Sequence, residues 1–187
     1  EPQSASEWSL TENVIQGIDT MSQSEAPIEV EIGDELVHLI YMSSRNDTSS
    51  VPVLGLWYAH GLEGAGSWNY KRAIAVQGSS PSMAVTNVEG DDRVSIVWFE
   101  GEPDKSTLNA MIVDESFNII NGASVSIMAR GGEYAKISQR GDILFLTYDH
   151  VTPVGRVVSL GVIDPNEGWI GIGNRVSTGS AFAASAA

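Results

Sequence analysis

Apolar and polar positions alternate over short distances along this chain, in a pattern typical of β-strands. Three apolar stretches, at residues 37–41, 94–98 and 144–148, are rich in β-branched and aromatic residues, as buried strands are. Each stretch follows an acidic turn and ends in an aromatic residue. No stretch combines the 3.6-residue period of an amphipathic helix with capping residues at both ends. The pattern therefore predicts an all-β protein.

These three strands recur about every 50 residues, and their neighbours recur with them. One extended segment precedes each strand and two follow it, so that every repeat is predicted to hold four strands. The repeats lie near residues 26–77, 80–130 and 133–178. Four short antiparallel strands in each repeat of about 50 residues are typical of the blades of a β-propeller. A β-sandwich is the alternative, although it does not require the same four-strand pattern three times.

The two ends of the chain extend this pattern by one strand each. Residues 1–17 align with the last strand of a preceding blade, and residues 181–187 take the place of the first strand of a following blade. The 187 residues are therefore expected to form one propeller-type domain or segment of about three full blades. Since propellers close with about 4–8 blades, we expect the chain to be part of a longer propeller or to form a homo- or hetero-oligomer.

The connection between the third and fourth strands resembles the turn of the sialidase-like, or Asp-box, propellers, in which Ser-x-Asp-x-Gly-x-Thr-Trp closes each blade. The residues that carry the resemblance are Glu63, Ser67 and Trp68 in the first repeat, and Asp164 and Trp169 in the third. The middle repeat keeps only the turn character, at residues 114–119. The resemblance implies a scaffold role, in which the carboxylate accepts backbone N–H groups and the tryptophan covers the interface between blades.

Candidate binding residues lie in the loops that precede each first strand, predicted at 18–26, 78–80 and 130–133, and in those that join the second and third strands, predicted at 43–51, 101–106 and 150–155. In propellers these loops share one rim, and loops on a rigid scaffold commonly carry function. The candidates for binding a ligand are Arg45, Arg130, Arg156, Asp47 and Glu133. The resemblance to sialidases implies a grip of arginines on a sugar carboxylate, which guanidinium groups bind bidentately. The alternative is that these arginines pair with neighbouring acids, Asp149 among them.

No catalytic set can be assigned to these loops. The family's nucleophile is a tyrosine supported by a glutamate, and no such pair can be identified here. Glycosidases need two carboxylates about 5–10 Å apart, but acids are so abundant on this rim that a close pair is expected by chance. The three histidines lack the spacing of zinc ligands. We therefore predict no cofactor, with calcium in an acidic loop such as residues 89–92 as the alternative.

The charge of the chain narrows the classes of partner. Its 24 acidic residues exceed its 10 basic residues, giving a net charge of −14. This balance excludes the basic surface that binds nucleic acid or an anionic membrane. No apolar run reaches the ~18–20 residues that span a bilayer. The absence of cysteine removes disulfides, thiolate metal sites and cysteine nucleophiles together.

Taken together, these features predict an extracellular or cell-surface propeller module without catalytic activity, which binds a glycan or a protein partner through its rim loops. One alternative is a structural subunit of a virion, a filament or another multi-chain complex, whose open blade edges pair with neighbours. The other alternative is an enzyme, as one part of a sialidase-type glycoside hydrolase.

Overall fold

The computed structural model describes residues 28–45, 53–62, 70–76 and 78–175. Within these ranges, twelve strands form three antiparallel sheets of four strands each. Sheet 1 consists of β1 (Ile28–Ile32), β2 (Leu36–Arg45), β3 (Val53–Leu62) and β4 (Tyr70–Val76). Sheet 2 consists of β5 (Gly78–Val88), β6 (Asp91–Glu100), β7 (Thr107–Val113) and β8 (Ile119–Met128). Sheet 3 consists of β9 (Ala135–Arg140), β10 (Ile143–Thr152), β11 (Gly155–Asp164) and β12 (Trp169–Arg175).

The first strands of the three sheets lie together, as the inner strands of propeller blades do. Glu29 of β1 connects them: one carboxylate oxygen accepts the Met83 N–H of β5 at 2.6 Å, and the other lies 2.6 Å from Lys136 Nζ of β9. The strand order within every sheet follows the chain, so each sheet is a meander. Three such sheets, in place of the two of a sandwich, confirm the predicted all-β propeller architecture of four-stranded antiparallel blades.

Strands β5, β6 and β7 of the middle sheet are largely buried, because a neighbouring sheet covers each face of them. One apolar core lies between sheets 1 and 2, where Tyr58 packs near Ile96. A second core lies between sheets 2 and 3 and includes Phe99, Leu108 and Leu146. Strands covered on both sides are apolar nearly without interruption. The apolar run from Val94 to Phe99 of β6, interrupted only by Ser95, has this cause.

Several loop boundaries differ from those predicted. Residues 78–80, expected in a loop, belong to β5, whose register shifts between Ser79 and Ser82. The loop expected at 150–155 shrinks to two residues, because β10 and β11 pair as far as Thr152 and Gly155. Apolar alternation marks the buried part of a strand but not the solvent-exposed part of its ladder, which explains these differences. The additional strands predicted at 1–17 and 181–187 lie outside the described residues.

Aspartates close two of the turns between third and fourth strands. Asp164 Oδ1 accepts the N–H groups of Asn166 and Glu167 at 3.0 and 3.2 Å, as predicted for this residue. In sheet 2, Asp114 Oδ1 accepts the Asn118 N–H at 2.7 Å. The corresponding residues of sheet 1, Glu63, Ser67 and Trp68, lie outside the described residues.

The prediction that Trp169 covers an interface between blades is wrong, because this side chain is 55% exposed. The buried aromatic residue comes instead from the turn of sheet 2. There Phe117 packs against Tyr58 of sheet 1, with ring centroids 5.1 Å apart. Trp169, at the start of the outermost strand of sheet 3, projects from a face that none of the three described sheets covers.

A buried hydrogen-bond network joins sheets 1 and 2 at the end opposite the predicted rim. His38 of β2 lies between two partners: its Nδ1 is 2.6 Å from Tyr58 Oη, and its Nε2 is 3.1 Å from Asp92 Oδ2 of β6. Asp92 also accepts the Asp34 N–H, at 3.1 and 3.2 Å to its two oxygens. The side chains of His38, Tyr58 and Asp92 are at most 1% exposed. The network therefore fixes one sheet against the next.

His60, beside this network, makes the contact between the sheets sensitive to acid. Its ring lies 6.0 Å from that of His38, and burial, followed by the proximity of His38, lowers the pKa of His60 against the opposing effect of Glu115. A histidine whose pKa is lower in the folded state contributes full stability above its unfolded value of 6.5, and this contribution is lost as the pH falls through the folded value.

We therefore expect the free energy of unfolding to fall as the pH drops through 6.5 and below, and His60→Gln to reduce that fall. Urea unfolding of both proteins at each pH measures it. Carboxylates elsewhere affect the two proteins alike, so that the difference between them isolates His60. An identical pH dependence in the two proteins would contradict the prediction.

Candidate functional site at the rim

The rim between sheets 2 and 3 is built by three connections, of which the middle one bonds to the first and to the end of β10. They are residues 101–106, 129–134 and 153–154. The Ala129 N–H donates to the Ser106 carbonyl at 3.0 Å, and the Val151 N–H donates to the Arg130 carbonyl at 2.6 Å. The Ser106 hydroxyl donates to the Ala129 carbonyl at 2.8 Å. These bonds hold the connections as one continuous surface.

Two glycines allow the 129–134 connection to lie directly against its neighbours. Gly131 has a φ of +64°, a left-handed conformation that side chains disfavour. A Cβ atom at Gly132 would lie 2.3 Å from Phe99 Cε1 and 2.9 Å from the Asp149 carbonyl oxygen. Any other residue at position 132 would push the connection away from the core.

Asp149 of β10 organises the polar part of the rim. It is 1% exposed, and its Oδ1 accepts the N–H groups of Glu133 and Tyr134 at 2.8 and 2.9 Å. Its Oδ2 pairs with Nη1 of Arg156, whose Nη2 lies 2.8 Å from Glu133 Oε1. The hydrogen bond to Asp149, with the charges of both acids, raises the pKa of Arg156. Arg156 thus bridges two carboxylates of the protein itself.

Three of the five predicted binding residues meet on this rim: Arg130, Glu133 and Arg156. Arg156 has the acid partners, Glu133 and Asp149, that the alternative interpretation expected. Arg130 is exposed, with its Nε 3.3 Å from Met128 Sδ. The backbone of Arg45 pairs with Val53 at the end of β2, while its side chain and the whole of Asp47 lie outside the described residues. Ligand binding by all five stays a prediction.

An apolar surface that the sequence analysis did not predict surrounds Arg130. Met128, Tyr134, Val151 and Val154 are 66, 52, 46 and 63% exposed. Arg130 connects two of them, since its Nε contacts Met128 Sδ and its carbonyl accepts the Val151 N–H, while Tyr134 ends the same connection and Val154 lies in the turn after β10. We call these four residues and Arg130 the rim patch. The sequence gives one signal for it, an apolar valine in the Pro-Val turn at 153–154, where turns are ordinarily polar.

The described part of the rim gives less support to acid–base catalysis than to ligand binding. Among the described acids, Glu31 has a pKa that burial raises, with a further rise from Glu29 and a decrease from Lys136. Glu31 lies on inner strand β1, outside the rim connections. The described residues hold no group of His, Asp and Glu arranged to bind a metal ion. They also contain no helix of the length and hydropathy needed to cross a membrane.

Comparisons with known proteins do not place the chain in a family. No family model matches it, and no curated protein matches it. One solved structure that resembles it is described as a bifunctional GH43-CE from Bacteroides eggerthii. The two share 10% sequence identity with a TM-score of 0.42, over 79% of this chain and 19% of the other. The chain thus spans about a fifth of the length of that protein.

Proposed function

We propose that this protein is a non-catalytic binding module that holds a protein partner through the rim patch. The observation that carries the proposal is the exposure of Met128, Tyr134, Val151 and Val154 around Arg130. Single exposed apolar residues are ordinary, but contiguous apolar surface marks interaction sites. Tyrosine, methionine and arginine are also enriched at the centre of protein interfaces.

The rigidity of the rim supports the same proposal. The loop that carries Arg130 and Tyr134 is tied to sheet 3 by the Asp149 carboxylate and by backbone bonds. Because this surface is already ordered, binding loses little conformational freedom. The net charge of −14 favours a partner whose surface carries basic residues around an apolar centre. An extracellular or cell-surface location is part of the proposal.

Two substitutions test the rim patch directly. We expect the double variant Tyr134→Ser/Val154→Asp to bind the partner at least tenfold more weakly, since central aromatic residues carry much of the energy of an interface. The control is Ile143→Asp, which changes an equally apolar residue, 42% exposed, at the opposite end of β10.

The experiment has two stages. Proteins from the native source that bind immobilised wild-type chain and the control, but not the double variant, are identified and then purified. Their affinities for all three proteins are measured by calorimetry. The proposal is wrong if no captured protein binds wild type in preference to the double variant, or if the purified candidate binds both with equal affinity.

A further inference from the structure

The outermost strand of sheet 2 lacks the usual protection against pairing with another chain. Natural sheets commonly protect a free edge with charged side chains, proline or an irregular backbone. β8 contains no charged residue and no proline, whereas β4 carries Lys71 and Arg72 and β12 carries Arg175. The register of β8 shifts near its start, but residues 124–128 pair with β7 without interruption. We call residues 124–128 the free edge, since no described strand pairs with its outer side.

The hydrogen-bond pattern shows which backbone groups of the free edge point away from sheet 2. Just beyond the ladder, Ala129 lies opposite Ser106, and its N–H donates to the Ser106 carbonyl at 3.0 Å. Hydrogen-bonded residues recur at every second position of an antiparallel pair, so residues 127 and 125 also bond to β7. The N–H and carbonyl groups of the alternate residues point outward. These residues are Ser124, Ser126 and Met128.

The side chains of the free edge alternate between the two faces of sheet 2. Val125 and Ile127 are half-buried and pack against the core between sheets 2 and 3. The other three side chains lie on the side of sheet 1 and are exposed, Met128 by 66%. The edge thus offers a row of unpaired backbone groups and, on one face, an apolar row. An added antiparallel strand needs both features.

We propose that a second copy of the chain pairs with the free edge, β8 against β8, about a two-fold axis at Ser126. The free edge is nearly symmetric about this residue. In the antiparallel pair, Val125 lies opposite Ile127 of the second copy, so apolar residues meet on one face. On the other face, Ser124 lies opposite Met128 of the second copy, so a small side chain meets a large one. No like charges meet at the axis, because β8 carries no charge.

The dimer goes beyond the proposed function and uses a different surface, with Met128 alone common to both. A two-fold contact of this kind is self-complementary and closes after two copies. The net charge of −14 on each copy opposes association, and dissolved salt screens that repulsion. We therefore expect added NaCl to strengthen the dimer, and a dimer that NaCl weakens would contradict the proposal.

Sedimentation equilibrium of the whole chain over a wide range of concentration tests the dimer. We expect the mass to rise toward twice that of the monomer and no further. Ser126→Pro should weaken association at least tenfold, because each copy loses an N–H that donates across the axis. That N–H points outward, so the β7–β8 ladder keeps its bonds. Ser126→Ala is the matched control: it removes only the hydroxyl and should dimerise like wild type.

A pair of charged variants tests the same axis without altering the backbone. Ser126→Lys and Ser126→Asp should each be monomeric, since like charges would meet at the axis, and their equimolar mixture should form the dimer. A monomer at all concentrations, equal association of wild type and Ser126→Pro, or assembly beyond two copies would overturn the proposal. Tyr134→Ser/Val154→Asp should dimerise like wild type, because neither residue lies on β8. Failure of the dimer is thereby distinguished from failure of the rim patch.

Discussion

Replacement of Asp92 by alanine is expected to lower the free energy of unfolding by about 3 kcal/mol, which places it among strongly destabilising substitutions. The variant leaves the His38 imidazole and the Asp34 N–H without the carboxylate that they now bond. Water cannot replace it easily, because Asp92 and His38 are at most 1% exposed. Each buried polar group left without a partner costs about 1–3 kcal/mol.

The direction of the hydrogen bonds predicts how Asn would behave at this position. An ionised carboxylate only accepts, so the His38 Nε2–H donates to Asp92; in the imidazole tautomer with that single proton, the Tyr58 hydroxyl donates to Nδ1. Asp92→Asn can preserve the network if its amide donates to Nε2 and the imidazole changes tautomer. We expect Asp92→Asn to lose about half as much stability as Asp92→Ala.

Urea unfolding of Asp92→Ala, Asp92→Asn and Asp91→Ala measures these effects. Asp91 is the adjacent carboxylate and is exposed, so that its removal controls for the loss of one negative charge. We expect Asp91→Ala to stay within about 0.5 kcal/mol of wild type, as exposed substitutions do. Equal unfolding midpoints for Asp92→Ala and Asp91→Ala would show that the network does not hold the sheets together.

This pair of aspartates also shows what the sequence could reveal. The acidic turn before β6 was visible as part of the repeat, because an acidic turn precedes the apolar second strand in all three repeats. Which of the two carboxylates is buried depends on how sheet 1 lies on sheet 2. The turn between β1 and β2 places Gly33 against Asp92, so closely that a Cβ atom there would lie 1.8 Å from Asp92 Oδ2. No local pattern encodes that approach between residues about 60 positions apart.

The rim was predictable in outline and not in its chemistry. Blade topology alone brings Arg130, Glu133 and Arg156 to one end of the blades, since alternate connections of a meander lie at the same end of its strands. The rim patch was missed because Met128 and Val151 lie at strand ends, where an apolar residue suits the interior and the surface equally well. The error at Trp169 has a similar origin: the resemblance supplied a position, but burial depends on which neighbouring sheet is present.

Replacement of Asp149 by alanine is the second large prediction, with an expected loss of about 3 kcal/mol in the free energy of unfolding. The variant leaves the Glu133 and Tyr134 N–H groups unbonded and removes the buried partner of Arg156. The exposed carboxylate Asp142, in the turn before β10, provides the charge-matched control Asp142→Ala. Urea unfolding compares the two, and equal stability of these variants would contradict the prediction.

The same substitution tests whether the rim patch must be held in position in order to bind, because it leaves the exposed side chains of the patch unchanged. Asp149 is 1% exposed and so offers a partner almost no contact, but it fixes the backbone of Tyr134. At a temperature where Asp149→Ala stays folded, we expect faster hydrogen exchange in residues 129–134 and at least tenfold weaker partner binding, whereas Asp142→Ala keeps both at wild-type values. Wild-type affinity despite a loosened loop would mean that the partner orders the loop itself. Joint loss of protection and affinity would instead show that a buried carboxylate sets the binding strength of a surface it does not belong to.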